Sequence, residues 1–126
     1  MPRGRQKDLP AEEELARVLG RLPPGLRSEL EEFFLDRYDK MRSPRSRLLY
    51  AYVALSLARS TGIGSLGELD RGTYLAWKRE LVRSGASDFT LRSYITRLRA
   101  LVRWARGGQL PSWLANERGS IWDLYS

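Results

Sequence analysis

Apolar residues recur along the chain at intervals of three and four, the spacing that gathers them on one face of an α-helix. The strict alternation of apolar and polar residues that marks β-strands is missing. Five helices are predicted, over about 10–22, 26–41, 44–61, 71–83 and 88–106. The pattern therefore predicts an all-α domain, a compact helical bundle of four to five helices.

Residues suited to helix ends support these boundaries. Side-chain oxygens before a helix accept the free N–H groups of its first turn, and they are offered here by Ser43, Asp70 and either Ser87 or Asp88. Pro44 fits the first turn of the third helix, where its missing N–H is not needed. Gly62 is expected to end that helix.

Three parts of the chain differ in composition: a basic N-terminal arm over 1–9, the helical domain over 10–108 and an apolar C-terminal tail over 109–126. The apolar residues of the tail are Trp113, Leu114, Ile121, Trp122, Leu124 and Tyr125. They either dock on the body or bind a partner. Docking is favoured, because an exposed apolar cluster promotes unwanted association.

Positive charge is concentrated in the middle of the chain. The net charge is +7, and residues 42–106 hold 13 basic side chains against 4 acidic ones. Such a stretch is typical of a surface that faces a polyanion.

The fifth helix separates apolar and cationic residues most clearly. Its apolar positions are Leu91, Tyr94, Ile95, Leu98, Leu101, Val102 and Ala105. Along a second line, at spacings of three and four, stand Arg92, Thr96, Arg99, Arg103 and Arg106. A solvated arginine-rich face is the alternative, but such faces usually carry acidic partners, as the second helix does. The lack of acids in this line favours contact with phosphates.

The start of the third helix adds Arg45, Ser46 and Arg47 around free backbone N–H groups, although capping by Ser43 also explains this turn. Tyr50 belongs either to the core or to a phosphate-binding surface. The complete set of predicted DNA contacts is Arg45, Ser46, Arg47, Tyr50, Lys78, Thr90, Arg92, Thr96, Arg99, Arg103 and Arg106.

The chain contains no cysteine and no histidine. This excludes the common zinc sites and the Ser-His and Cys-His nucleophile pairs, so no enzyme activity, metal or cofactor is expected. No apolar run approaches the roughly 18–20 residues that cross a bilayer. A cytoplasmic, nucleoid-associated protein is expected, and the scarcity of asparagine and glutamine is typical of thermophiles.

Several short segments stand in a recognisable order. They are Glu31-Glu32-Phe33-Phe34-Leu35, Ser43-Pro44-Arg45-Ser46-Arg47-Leu48-Leu49-Tyr50, Leu66-Gly67-Glu68-Leu69, Gly85-Ala86-Ser87, Thr90-Leu91-Arg92 and Trp104. In this order and spacing the chain resembles, over about 30–105, the core-binding (SAM-like) domain of tyrosine recombinases and phage-type integrases.

The resemblance implies two crossed helical hairpins that contact duplex DNA through the helices at 44–60 and 88–106. It assigns contacts to Arg45, Ser46, Tyr50, Thr90 and Arg92. The family's catalytic domain, with its arginine, lysine, histidine and tyrosine set, has no counterpart here. Tyr125 lies where a nucleophile would lie, and we interpret it as coincidence.

Two alternatives stay open. One is a helix-turn-helix regulator formed by the helices at 71–83 and 88–106. The other is a protein-interaction bundle that binds a recombinase, or a second copy of itself, through the tail at 110–125. If about five phosphates are engaged, log K falls with log salt at a slope near −4 to −5, whereas a bundle that binds only protein shows no DNA affinity.

Overall fold

The computed structural model describes residues 10–117, and every regular element in that range is helical. The elements are α1 (Ala11–Gly20), α2 (Pro24–Asp36), α3 (Pro44–Thr61), a 3-10 turn (Leu66–Glu68), α4 (Arg71–Arg83), α5 (Asp88–Ala105) and the short α6 (Ser112–Ala115). The predicted all-α bundle is confirmed, with α6 and the 3-10 turn as additions. The predicted N-terminal arm at 1–9 lies outside the described residues.

Helix α3 is the centre of the bundle, because α1, α2, α4 and α5 all pack against it. Its Ala51, Val53 and Leu57 are completely buried. A small side chain such as that of Ala51 lets a neighbouring helix approach closely. A narrow strip of α3 that includes Arg45 stays exposed.

The predicted caps are confirmed. Each side-chain oxygen accepts a backbone N–H from the first turn: Ser43 from Arg45 at 3.2 Å, Asp70 from Thr73 at 2.8 Å and Ser87, rather than Asp88, from Thr90 at 3.1 Å. The Thr73 N–H holds the pKa of the Asp70 carboxyl below its ordinary value. Gly62 ends α3 with a φ of 77°, a conformation that favours glycine.

Helix α2 ends at Asp36, so the predicted end at Met41 is wrong. Beyond α2 the chain continues in tight turns, in which the N–H of Tyr38 bonds the Leu35 carbonyl and the N–H of Met41 bonds the Tyr38 carbonyl. These turns still deliver the Met41 side chain to the core, where it is buried. The apolar periodicity therefore continues past the point where the α-helix stops.

The connection between α3 and α4 is held against α2. The Glu29 carboxylate accepts the Leu66 backbone N–H at 2.8 Å, and partial burial raises the pKa of Glu29. A Cβ atom on Gly25 would lie 2.5 Å from the Gly64 carbonyl oxygen. Only glycine fits this close approach without displacing the backbone.

The first part of the apolar tail docks on the body. Leu114 is completely buried, and the Trp113 ring lies 5.7 Å from the Tyr74 ring, measured between centroids. Docking is thus confirmed as far as residue 117. The remaining apolar residues of the tail, Ile121, Trp122, Leu124 and Tyr125, lie outside the described part of the chain.

Between residues 10 and 117, no helix combines the length and the apolar character that crossing a membrane requires.

Candidate nucleic-acid interface

The orientation of α5 is fixed by its apolar side, since Leu91, Ile95, Leu98, Leu101 and Val102 are all buried. Residues that lie about 180° around the helix axis from these buried positions face away from the core. The side that faces solvent carries the predicted cationic line.

Arg92, Thr96 and Arg103 are exposed on this side, as predicted. Arg92 and Arg103 are eleven residues apart, so they lie about 16 Å apart along the helix and within about 20° of the same line. Among residues 10–117, no carboxylate oxygen lies within 4.0 Å of either guanidinium. We call Arg92, Thr96 and Arg103 the open stripe.

Arg99 and Arg106 border the open stripe and are held by the body of the protein. A guanidinium nitrogen of Arg99 donates to the Ala115 carbonyl at 3.0 Å, and one of Arg106 donates to the Leu69 carbonyl at 3.0 Å. Arg99 is half-buried, and its Nε is buried without a hydrogen-bond partner in the described structure. A carbonyl orients a guanidinium but does not neutralise it, so both arginines still add positive charge to this side.

Helices α1 and α2 show the opposite pattern. In α1 and α2, Arg17 lies 3.8 Å from Glu14 and Arg27 lies 3.5 Å from Glu31. These are ordinary surface ion pairs at helical spacing. The contrast supports the view that the missing acids on α5 are a property of that helix and not of the whole chain.

The structure places Thr90 in the first turn of α5, where its hydroxyl accepts a hydrogen bond from Ser87 at 3.2 Å. Its side chain is half-buried and is part of the cap. At the start of α3, Arg45 is exposed and Ser46 is half-buried. Arg45 therefore stays available to a ligand.

Arg47 is occupied by local structure. Its Nε donates to the Met41 carbonyl, and its guanidinium lies 5.8 Å from the Tyr38 ring and 6.0 Å from the Phe34 ring. Through these contacts Arg47 stabilises the turn between α2 and α3. A second role toward DNA would require it to leave these contacts.

Tyr50 packs at the edge of the core. Its ring lies 5.1 Å from the Phe33 ring, and the Arg97 guanidinium lies 5.8 Å from its centroid. Tyr50 and Arg97 join α3 to α5, and Arg97 lies about 120° around α5 from Arg103. Helices α3 and α5, the two that were predicted to be cationic, are therefore neighbours. They pack together through a side of α5 that does not carry the open stripe.

Lys78 was predicted to contact DNA, but the structure places it in the interior. Its side chain is completely buried, and its Nζ donates to the Glu117 carboxylate at 2.8 Å. The same carboxylate accepts the Tyr74 hydroxyl at 2.5 Å. Lys78 shares the inward side of α4 with Tyr74 and Trp77 at helical spacing, so it cannot reach a surface ligand in this conformation.

Phe89 is a further residue of this side that is not among the predicted contacts. It stands in the first turn of α5 and is 80% exposed. Helical spacing could have identified it, because Phe89 lies about 160° around the helix from the buried Leu91 and therefore on the cationic side.

No protein-family model, curated protein or solved structure matches this chain.

Proposed function

We propose that this protein binds duplex DNA without catalysing a reaction, using the open stripe of α5 with Arg106 and with Arg45 of α3. The observation that carries the proposal is the exposed pair Arg92 and Arg103, which has no acidic partner in the described residues. Arginines left without carboxylates gain from phosphates through charge-assisted hydrogen bonds and through release of the counterions that surround DNA.

The family relation belongs to the same proposal. The order of motifs between residues 30 and 105 supports descent from a recombinase core-binding domain, with two crossed hairpins as its arrangement. Absence of histidine and cysteine from the sequence supports a role without nucleophilic or zinc chemistry. Association with the nucleoid would follow from binding DNA.

A helix-turn-helix regulator is the second candidate, because α4 and α5 pack together across the short connection at 84–87. The buried side of α5 runs from Leu91 to Val102, over most of the helix. A recognition helix is usually shorter than α5, which has 18 residues, and it leaves its outer face to read bases. We therefore favour binding with little sequence preference.

A protein-interaction role for the tail has less support. Of its apolar residues in the described range, Leu114 already fills the core and Trp113 packs on Tyr74.

The test is a fluorescence anisotropy titration of a labelled 20-base-pair duplex at several salt concentrations. If Arg45, Arg92, Arg103 and Arg106 each engage one phosphate, log K falls with log salt at a slope of about −3.6. This slope is shallower than the value of about −4 to −5 expected from the sequence, because four phosphates are counted here and about five were counted there. Absence of binding at low salt, or a slope near zero, overturns the proposal.

A further inference from the structure

Phe89 is a large apolar side chain that the fold leaves almost entirely in solvent. It is 80% exposed, and among the described residues its ring takes part in no aromatic pair and no cation–π pair. Replacement of this exposed ring by a smaller side chain would leave no cavity in the core. Nothing in the packing of the bundle therefore explains a phenylalanine at this position.

The ring extends the open stripe toward the start of α5. Arg92, Thr96 and Arg103 follow Phe89 by three, seven and fourteen residues, all of them spacings that keep residues on one side of a helix. Along the axis, Thr96 lies about 10 Å and Arg103 about 21 Å from Phe89. A polyanion held by the arginines would thus run toward the aromatic ring.

We propose that Phe89 stacks on an unpaired base of the DNA whose backbone the open stripe holds, so that the preferred ligand is a duplex interrupted by a bulged or gapped nucleotide. The inference rests on the proposed DNA-binding function. Cationic side chains beside an aromatic platform are the combination that binds exposed bases, because every base offers a π face.

The energetics favour an unpaired base over an intact stack. To enter a continuous duplex, the ring would first have to separate two stacked base pairs. One aromatic ring recovers no more than this separation costs. A base that is already unpaired offers its face without that cost.

A lipid surface fits the same side of α5 less well. Membrane-bound helices insert a continuous apolar face, and the apolar face of α5 is buried in the core. Phe89 alone remains for insertion.

The experiment compares a 20-base-pair duplex with the same duplex carrying one bulged 2-aminopurine. We expect the wild-type protein to bind the bulged DNA about 5- to 150-fold more tightly, the range that one base–aromatic stack provides. Binding should also protect the 2-aminopurine from collisional quenching by acrylamide.

Phe89→Ala should bind the intact duplex with unchanged affinity and lose the preference, while Phe89→Trp should keep it. Leu35→Ala is the matched control, because Leu35 is 73% exposed on α2, outside the open stripe. This variant should behave as the wild type does.

Equal affinity of the wild type for the two DNAs, or a preference that survives in Phe89→Ala, overturns the stacking role and leaves the proposed function intact. Failure to bind either DNA overturns both. Phe89-dependent binding to phosphatidylglycerol vesicles, with no effect of the substitution on DNA, assigns the ring to a membrane and overturns the inference.

Discussion

The open stripe can be tested by removing its two arginines together, as Arg92→Gln and Arg103→Gln. Both side chains are exposed and have no carboxylate within 4.0 Å in the described structure, so their loss breaks no ion pair and leaves the core untouched. Glutamine removes the charge and keeps the helix preference of each position approximately constant. The net charge falls from +7 to +5.

The expected effect follows from counterion release. Each phosphate contact contributes about 0.9 to the slope of log K against log salt, so the double variant should lose about 1.8 and show a slope near −1.8. Between about 50 and 200 mM salt, the wild type should lose about 150-fold in affinity and the variant only about 12-fold. Anisotropy titrations of one duplex over that range measure both values.

The matched control is the double variant Arg17→Gln and Arg27→Gln. It makes the same change in net charge, but it removes arginines that lie beside Glu14 and Glu31 on α1 and α2. We expect its slope to stay within about half a unit of the wild-type slope. If the two double variants change the slope equally, only net charge matters and the open stripe is not the interface. An unchanged slope in the α5 variant refutes the same reasoning.

Three further predictions concern the fold. Gly25→Ala should destabilise the protein by about 1–3 kcal/mol, because its Cβ meets a backbone carbonyl at 2.5 Å. Gly20→Ala, whose Cβ meets nothing within 4 Å, should be neutral or stabilising in the same urea titrations. Ser56→Ala should cost about 1–3 kcal/mol, since it removes the acceptor of the buried Trp77 indole N–H at 2.9 Å; an unchanged urea midpoint would contradict that role. Asp70 has a lowered pKa in the folded state, so its contribution is present above the ordinary value of 3.8 and is lost as pH falls through the lower folded value. Asp70→Asn keeps the cap acceptor without the charge and should flatten the acid side of the Tm–pH profile, and an identical profile would argue against it.

Features that depend on neighbouring residues were predictable from the sequence. The caps at Ser43 and Asp70 and the end of α3 at Gly62 are each decided within one helical turn and were predicted, and the cap of α5 was narrowed to Ser87 or Asp88. Lys78 shows where the prediction failed although the information was local. Its charge suggested the surface, while its position on the helix placed it with the buried side of α4.

Other features depend on contacts distant in sequence. The carbonyls that hold Arg99 and Arg106 come from residues 16 and 37 positions away, so no pattern within α5 reveals them. The turn after α2 is a different case, because Met41 reaches the core through hydrogen bonds between residues only three positions apart. The apolar periodicity indicates which side chains are buried, but it does not indicate the backbone conformation that places them in the core.

The bond between Lys78 and Glu117 determines how short a working version of this protein can be made. Composition suggests cutting the chain after residue 108, where the basic stretch ends and the apolar segment begins. Such a cut would remove Leu114 from the interior, take a carboxylate from an ammonium group that has no access to water, and release the carbonyl that orients Arg99. The smallest fragment that preserves this fold therefore extends at least through residue 117.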